Sequence, residues 1–84
     1  MMIIYGVHTS AWGQVGEIEV LTAHRVVAED HARTRSQDWI YGSLYVTTRE
    51  LERAGSVKVI SEWKDGKKIR DFGKGEWRRT QPVT

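Results

Sequence analysis

The sequence predicts an α+β fold: an antiparallel sheet of four to five strands with one helix packed on one face, in the chain order β-β-α-β-β-β. Three observations predict it. Short runs of alternating apolar and polar residues, which are typical of half-buried strands, recur along the chain. Residues 23–37 carry the one clear helical pattern of apolar residues in the chain. An Asp-Gly pair at 65–66 separates two alternating runs, which is the strongest short signal for a β-hairpin.

The first two strands are predicted from the N-terminal quarter of the chain. Residues 2–9 are rich in β-branched and aromatic residues and have apolar side chains on both faces, which favours a central strand. Residues 10–16 contain two glycines and are predicted to form a loop. Residues 17–20 alternate cleanly and predict a second strand, antiparallel to the first.

The helix is predicted to begin after Thr22, which has the side chain of an N-cap. A narrow stripe of mostly small residues runs along it and contains Ala23, Val27, Ala28, His31 and Ala32, and charged residues lie off the stripe. A helix with so narrow a stripe packs closely on a sheet and does not form a core alone. Trp39 and Ile40 are expected to close its C-terminal end.

The second half of the chain predicts strands. Leu44 to Val46 begin one, but residues 47–55 fit two structures. Thr47 and Glu50 have the spacing of a capping box and Gly55 fits a helix C′ position, whereas the alternation also continues the strand to about Arg49. We favour the strand and leave the short helix open.

The last hairpin is predicted at Asp65-Gly66, between a strand over residues 57–63 and a return strand over 67–72. Gly73 and Gly75 are expected to end the return strand. The predicted organisation is therefore a single domain over residues 1–73 and a basic, flexible C-terminal tail over residues 74–84.

Composition limits the class of protein. A chain of 84 residues forms one domain at most, with a thin core. It contains no cysteine, so disulfides and cysteine-ligated metals are excluded, and a reducing compartment fits. The sequence has no apolar run long enough for a membrane-spanning helix and no signal peptide pattern at its start. We therefore expect a cytoplasmic protein that does not bind a membrane.

Charge is distributed unevenly along the chain. Residues 1–42 hold three arginines and five carboxylates, and residues 43–84 hold ten basic and six acidic residues. The basic residues concentrate near two aromatic residues in the segment KKIRDFGKGEWRRT. This segment could bind the phosphates of a nucleic acid and stack on its bases. Lysines on an edge strand, which block sheet-to-sheet aggregation, are the alternative interpretation. The candidate nucleic-acid-binding residues are Lys67, Lys68, Arg70, Lys74, Arg78 and Arg79.

Two tryptophans are candidate partner-binding residues. Trp77 lies in the basic segment, and Trp12 lies in the glycine-flanked segment AWGQVG. Tryptophan is frequent among the residues that dominate protein interfaces, although Trp12 could equally fold back onto the core. A sheet with one helix also leaves one face uncovered, and residues 2–9 and 57–63 have apolar side chains on both faces. This predicts a protein partner or self-association, with a homo-oligomer expected.

No catalytic, metal or cofactor site is predicted. His24 and His31 are seven residues apart, whereas metal-binding pairs on a helix more often use i and i+4 spacing. The sequence has no glycine-rich phosphate loop that leads into a helix. We therefore expect a protein without enzymatic activity.

The segments VLTAHRVVAEDHAR, SLYVTTREL and SVKVISEWKDGKKI resemble small uncharacterised accessory proteins of actinobacterial phages. In those proteins a strand leads into a Ser- or Thr-capped, alanine-rich helix, and a meander ending in a charged hairpin follows. The similarity covers about residues 3–72. It implies an accessory module that binds a host protein; a nucleic-acid-binding accessory protein is the alternative.

Overall fold

The structure, a computed structural model, describes residues 3–11, 14–50 and 56–79, apart from the side chains of Ala11, Glu50 and Arg79. It confirms the α+β class: the described residues form a five-stranded antiparallel sheet and one helix. The elements are β1 (Ile3–Ala11), β2 (Gln14–Thr22), α1 (Arg25–Ser36), β3 (Ser43–Glu50), β4 (Ser56–Lys64) and β5 (Lys67–Arg79).

The order of the strands in the sheet is β2-β1-β3-β4-β5, so it differs from their order along the chain. Strand β1 pairs antiparallel with both β2 and β3, and the connection through α1 therefore crosses over it. This placement makes β1 an inner strand, as its two apolar faces predicted. Strands β2 and β5 form the two edges.

The helix begins later than predicted. Thr22 pairs with Tyr5 as the last residue of β2, so it remains extended and is not the N-cap. His24 occupies the N-cap position without a side-chain capping bond, and its backbone N–H donates to the Thr22 hydroxyl at 3.1 Å. The prediction for Thr22 was therefore wrong because the β1–β2 ladder continues through it.

One cluster of buried side chains joins α1 to the sheet. Ala28 and Ala32, which lie one turn apart on α1, are both fully buried. They pack in this cluster with apolar residues of three strands, namely Val7 of β1, Leu44 and Val46 of β3, and Ile60 and Trp63 of β4. The small alanine side chains let the helix backbone approach the sheet closely.

A second cluster contains no helix residue. Its members are Val15, Tyr45, Val57 and Val59, with Phe72 packed against them. Along β3, Tyr45 of this cluster alternates with Leu44 and Val46 of the first, so the two clusters lie on opposite faces of the sheet. We call the face with Tyr45 the second face. Val57 and Val59 are at most 1% exposed within one chain, so these two side chains are buried on the second face without a second copy.

The hairpin predicted at Asp65-Gly66 is confirmed. Both residues have positive φ, 54° and 80°, as a two-residue type I′ turn requires. The Ser36 carbonyl accepts a hydrogen bond from the Asp65 N–H, and the Ser36 hydroxyl accepts one from the Gly66 N–H at 2.9 Å. These bonds attach the turn to the C-terminal end of α1.

Strand β5 does not end at Gly73. Residues 74–79, predicted as the start of a flexible tail, form its second half, and Glu76 to Arg79 pair with β4. Gly73 and Gly75 have φ values of 62° and 104°, so they form a bulge after which pairing resumes. The prediction for the end of this strand was therefore wrong. Residues 80–84 lie outside the described residues.

The strand alternative for residues 47–50 is confirmed, because β3 extends to Glu50. Residues 51–55 lie outside the described residues. Helix α1 has only 12 residues, and the described part of the chain contains no helix that is long and apolar enough to cross a bilayer.

Candidate functional site

The structure describes one of the two predicted partner-binding tryptophans. Trp12 lies outside the described residues. Trp77 lies on β5 and is 36% exposed, with the Lys58 ammonium 5.2 Å from the centre of its ring. Trp77 is therefore part of a paired strand and interacts with its neighbour across the sheet.

The candidate nucleic-acid-binding residues all lie on β5, and three of them have acidic neighbours. Lys68 lies 3.8 Å from Asp71, Arg70 lies 3.8 Å from Glu62, and Arg78 lies 3.5 Å from Glu76. Lys67 and Lys74 are exposed and make no ion pair with a described residue. The side chain of Arg79 is not described. The basic residues thus line one edge of the sheet, as the edge-strand interpretation predicted for Lys67, Lys68 and Arg70.

Arg78 covers part of the second face. Its guanidinium lies 5.2 Å from the centre of the Tyr45 ring and 5.7 Å from that of Phe72, and it donates a hydrogen bond to the Tyr45 hydroxyl at 3.1 Å. Its aliphatic stem can cover apolar surface while the charged group stays near water. Arg78 thus lies over the apolar cluster and is not extended towards solvent.

The loop between α1 and β3 presents an exposed apolar surface that the sequence did not predict. Ile40 and Tyr41, which are consecutive, are 78% and 69% exposed. Ile40 was expected to close the C-terminal end of the helix, and this prediction was wrong because only Trp39 turns inwards to the core. We call residues 39–41 the Trp39–Tyr41 loop.

Several contacts hold this loop in place. The indole N–H of Trp39 donates to the Ser10 carbonyl of β1 at 3.2 Å, and the Arg35 guanidinium lies 5.3 Å from the indole ring. The Tyr41 ring packs edge-on against Trp39 at a centroid distance of 5.1 Å. Lys64 of β4 donates to the Gly42 carbonyl at 2.9 Å. The loop is therefore fixed to the helix and to two strands, while Ile40 and Tyr41 face solvent.

A buried histidine and an arginine form a polar pair on the second face. His8 is completely buried, and its Nε2 lies 3.2 Å from Nη2 of Arg49. Its Nδ1 lies 3.2 Å from the Gly16 carbonyl oxygen of β2. Burial lowers the pKa of His8, the bond to Gly16 opposes this effect, and the positive charge of Arg49 lowers the pKa further.

Arg49 is incompletely paired in this arrangement. Its Nε is buried without a hydrogen-bond partner. A buried donor without a partner costs about 1–3 kcal/mol in general. No sequence pattern predicted this pair, because His8 and Arg49 are 41 residues apart in the chain.

Comparisons with known proteins yield no relatives. The chain matches no protein-family model, no curated protein and no solved structure.

Proposed function

We propose that the protein is a small, non-enzymatic protein-binding module in which α1 covers one face of the sheet and the Trp39–Tyr41 loop contacts the partner. The observation that carries this proposal is the high exposure of Ile40 and Tyr41 on a braced loop. Full burial of an isoleucine side chain contributes about 1.5–3 kcal/mol of stabilisation. The isolated chain does not gain this contribution from Ile40, whereas a complex that buries Ile40 would. Tyrosine is also enriched among the residues that dominate binding energy.

The bracing of the loop supports a binding role. A loop that must become ordered on binding loses conformational entropy, and this loss subtracts from the affinity. Here Trp39 and Gly42 are already held by Ser10 and Lys64, on β1 and β4 respectively. The two exposed side chains are therefore presented on a preorganised surface. The resemblance to actinobacterial phage accessory proteins suggests a host protein as the partner.

Replacing Ile40 by aspartate is expected to abolish partner binding without unfolding the protein. The side chain contributes little to the core, whereas a charge would be buried without a partner in the complex. We expect capture of the partner from an actinobacterial lysate by the immobilised protein to fall at least about tenfold, which corresponds to 1.4 kcal/mol. Quantitative mass spectrometry of the captured proteins measures the change.

The matched control is Val26→Asp. Val26 is 79% exposed on α1, so the variant adds the same charge at equal exposure and away from the loop. Capture unchanged by Val26→Asp but lost with Ile40→Asp supports the proposal. Equal capture by both variants would exclude the loop as the contact surface.

The same loop is our candidate surface for self-association. Size-exclusion chromatography with light scattering at high protein concentration tests whether a second copy is the partner. A dimer that Ile40→Asp converts to a monomer would assign the loop to self-association. A strict monomer at all concentrations would contradict the proposed homo-oligomer and leave a different protein as the partner.

A nucleic-acid-binding accessory protein is the second candidate function. It is favoured by one observation: the exposed Lys67 and Lys74 share β5 with the partly exposed Trp77. Phosphate contacts from the lysines and stacking on the indole would then bind a single strand without sequence preference.

Replacing both Lys67 and Lys74 by alanine is expected to weaken binding to an oligonucleotide and to flatten its salt dependence. Each lost phosphate contact reduces the slope of log affinity against log salt by about 0.7 for a single strand. Fluorescence anisotropy with a labelled oligonucleotide measures both quantities. The charge-matched control, Arg25→Ala with Arg33→Ala, changes α1 only. No binding by the unmodified protein at about 50 mM salt would remove this candidate.

A further inference from the structure

His8 connects three strands through its two ring nitrogens. The side chain starts on β1, reaches the Gly16 carbonyl on β2 through Nδ1, and reaches the Arg49 guanidinium on β3 through Nε2. The ring is completely buried. It therefore has no access to water that could replace either bond.

The two partners determine which nitrogen carries the proton. A carbonyl oxygen can only accept, so Nδ1 must carry a hydrogen and donate it to Gly16. A guanidinium can only donate, so Nε2 of His8 must be unprotonated and accept from Arg49. The arrangement thus requires the neutral imidazole with its proton on Nδ1.

We propose that His8 and Arg49 form an acid-triggered switch: when His8 takes up a second proton, Arg49 leaves the second face, whereas the His8–Gly16 bond and the sheet remain. A proton on Nε2 would face the N–H of Arg49 at 3.2 Å, so two donors and two positive charges would meet in a buried site. Arginine does not lose its proton in proteins, so one of the two side chains must move.

Arg49 is the side chain that moves. His8 is held by its bond to Gly16, which becomes stronger when the imidazole is charged. Arg49 is only partly buried, its Nε has no partner, and it lies one residue before the end of β3. Its long side chain can therefore reach water without displacement of the strand.

The other titratable groups around this site make no ion pair with His8 or Arg49 among the described residues. On β3, Tyr45 lies opposite His8 and accepts from Arg78 of β5. On β4, Glu62 accepts from Ser43 and lies near Arg70. On β2, Glu17 is exposed and makes no ion pair with a described residue. Among the described residues, none supplies a carboxylate within ion-pairing distance of His8 or Arg49.

Departure of Arg49 would open a small area on the second face. Gly6 lies beside His8 and Thr47: a Cβ placed there would be 3.0 Å from the Thr47 hydroxyl and 3.4 Å from His8 Nε2. Leu21 of the edge strand β2, already 53% exposed, lies 3.4 Å from the same point. Acidification would thus uncover the charged His8 near Leu21, and it would place the guanidinium in solvent.

Nuclear magnetic resonance titration of the full chain from neutral to acidic pH tests the proposal. We expect the His8 ring signal and the Arg49 side-chain N–H signal to change with one shared midpoint, below the pH of about 6.5 at which an unperturbed histidine titrates. The amides of β2 should keep their protection from hydrogen exchange through this transition. Loss of protection by all strands at that midpoint would overturn the proposal, because it would show global acid unfolding.

Two variants test whether the contact between His8 and Arg49 causes the pH response. Arg49→Met removes the charge and keeps an apolar stem, so the His8 midpoint should rise by at least about 0.5 pH unit. Arg33→Met, on the exposed side of α1, is the matched control and should leave the midpoint unchanged. In His8→Gln the Arg49 signal should no longer respond to pH, whereas the exposed-histidine control His24→Gln should retain the response. An unchanged His8 midpoint in Arg49→Met, or a persistent Arg49 response in His8→Gln, would overturn the switch.

Discussion

Replacing Trp63 by alanine is expected to lower the free energy of unfolding by about 3–5 kcal/mol, the usual cost of deleting a large buried aromatic side chain. Trp63 is 8% exposed and is the largest member of the cluster that joins α1 to the sheet. Its indole N–H donates to the buried Ser61 hydroxyl at 2.9 Å, so the variant also leaves that hydroxyl without its partner. Urea unfolding followed by circular dichroism measures the change.

The control at this position is Trp63→Phe. A phenyl ring replaces the indole and keeps much of the packing, whereas the hydrogen bond to Ser61 is lost, so we expect a loss of about 1–2 kcal/mol. A loss below about 1 kcal/mol for the alanine variant would show that Trp63 contributes little to the core, in conflict with its burial.

The second large effect is expected from Ala32→Glu. Ala32 is fully buried at the contact of α1 with the sheet, so the new carboxylate would lose its hydration without gaining a partner. Because glutamate forms helices well, helix propensity contributes little to the loss. We expect destabilisation above about 3 kcal/mol, which is a large fraction of the total stability of a chain of this size.

Thr34→Glu serves as the reference for this change. Thr34 is exposed two residues further along α1, so the same substitution there should alter stability by no more than about 0.5 kcal/mol. Thermal unfolding of both variants under identical conditions gives the comparison. Similar melting temperatures for the two would contradict the packing of α1 against the sheet.

The elements that the sequence predicted correctly are specified by local chemistry. The turn at Asp65-Gly66 requires positive φ at two successive residues, and few residue pairs other than Asp-Gly adopt it readily. The paired strands on either side, and the single helix, follow from periodicity within short segments. These features depend on neighbours in the chain, so the sequence alone was sufficient.

The errors occurred where tertiary contacts overrode a local signal. Two glycines favour the end of a strand, but β5 forms a bulge at Gly73 and Gly75 and then pairs with β4 again. An apolar isoleucine favours burial, but Trp39 occupies the core position and leaves Ile40 exposed. The pairing of His8 with Arg49 depends on a register between β1 and β3 that no short pattern encodes.

The crossover of α1 over β1 determines the order in which the sheet can form during synthesis. Strand β1 can pair with β2 as soon as the first hairpin leaves the ribosome, but its other partner, β3, lies about 40 residues later: Gly6 and Thr47, which pair across these strands, are 41 residues apart. At about 5–20 residues per second, the growing chain exposes that side of β1 for roughly 2–8 s. During this interval the nascent hairpin has an unpaired apolar strand edge. Neighbouring chains can pair wrongly with that edge until β3 is synthesised.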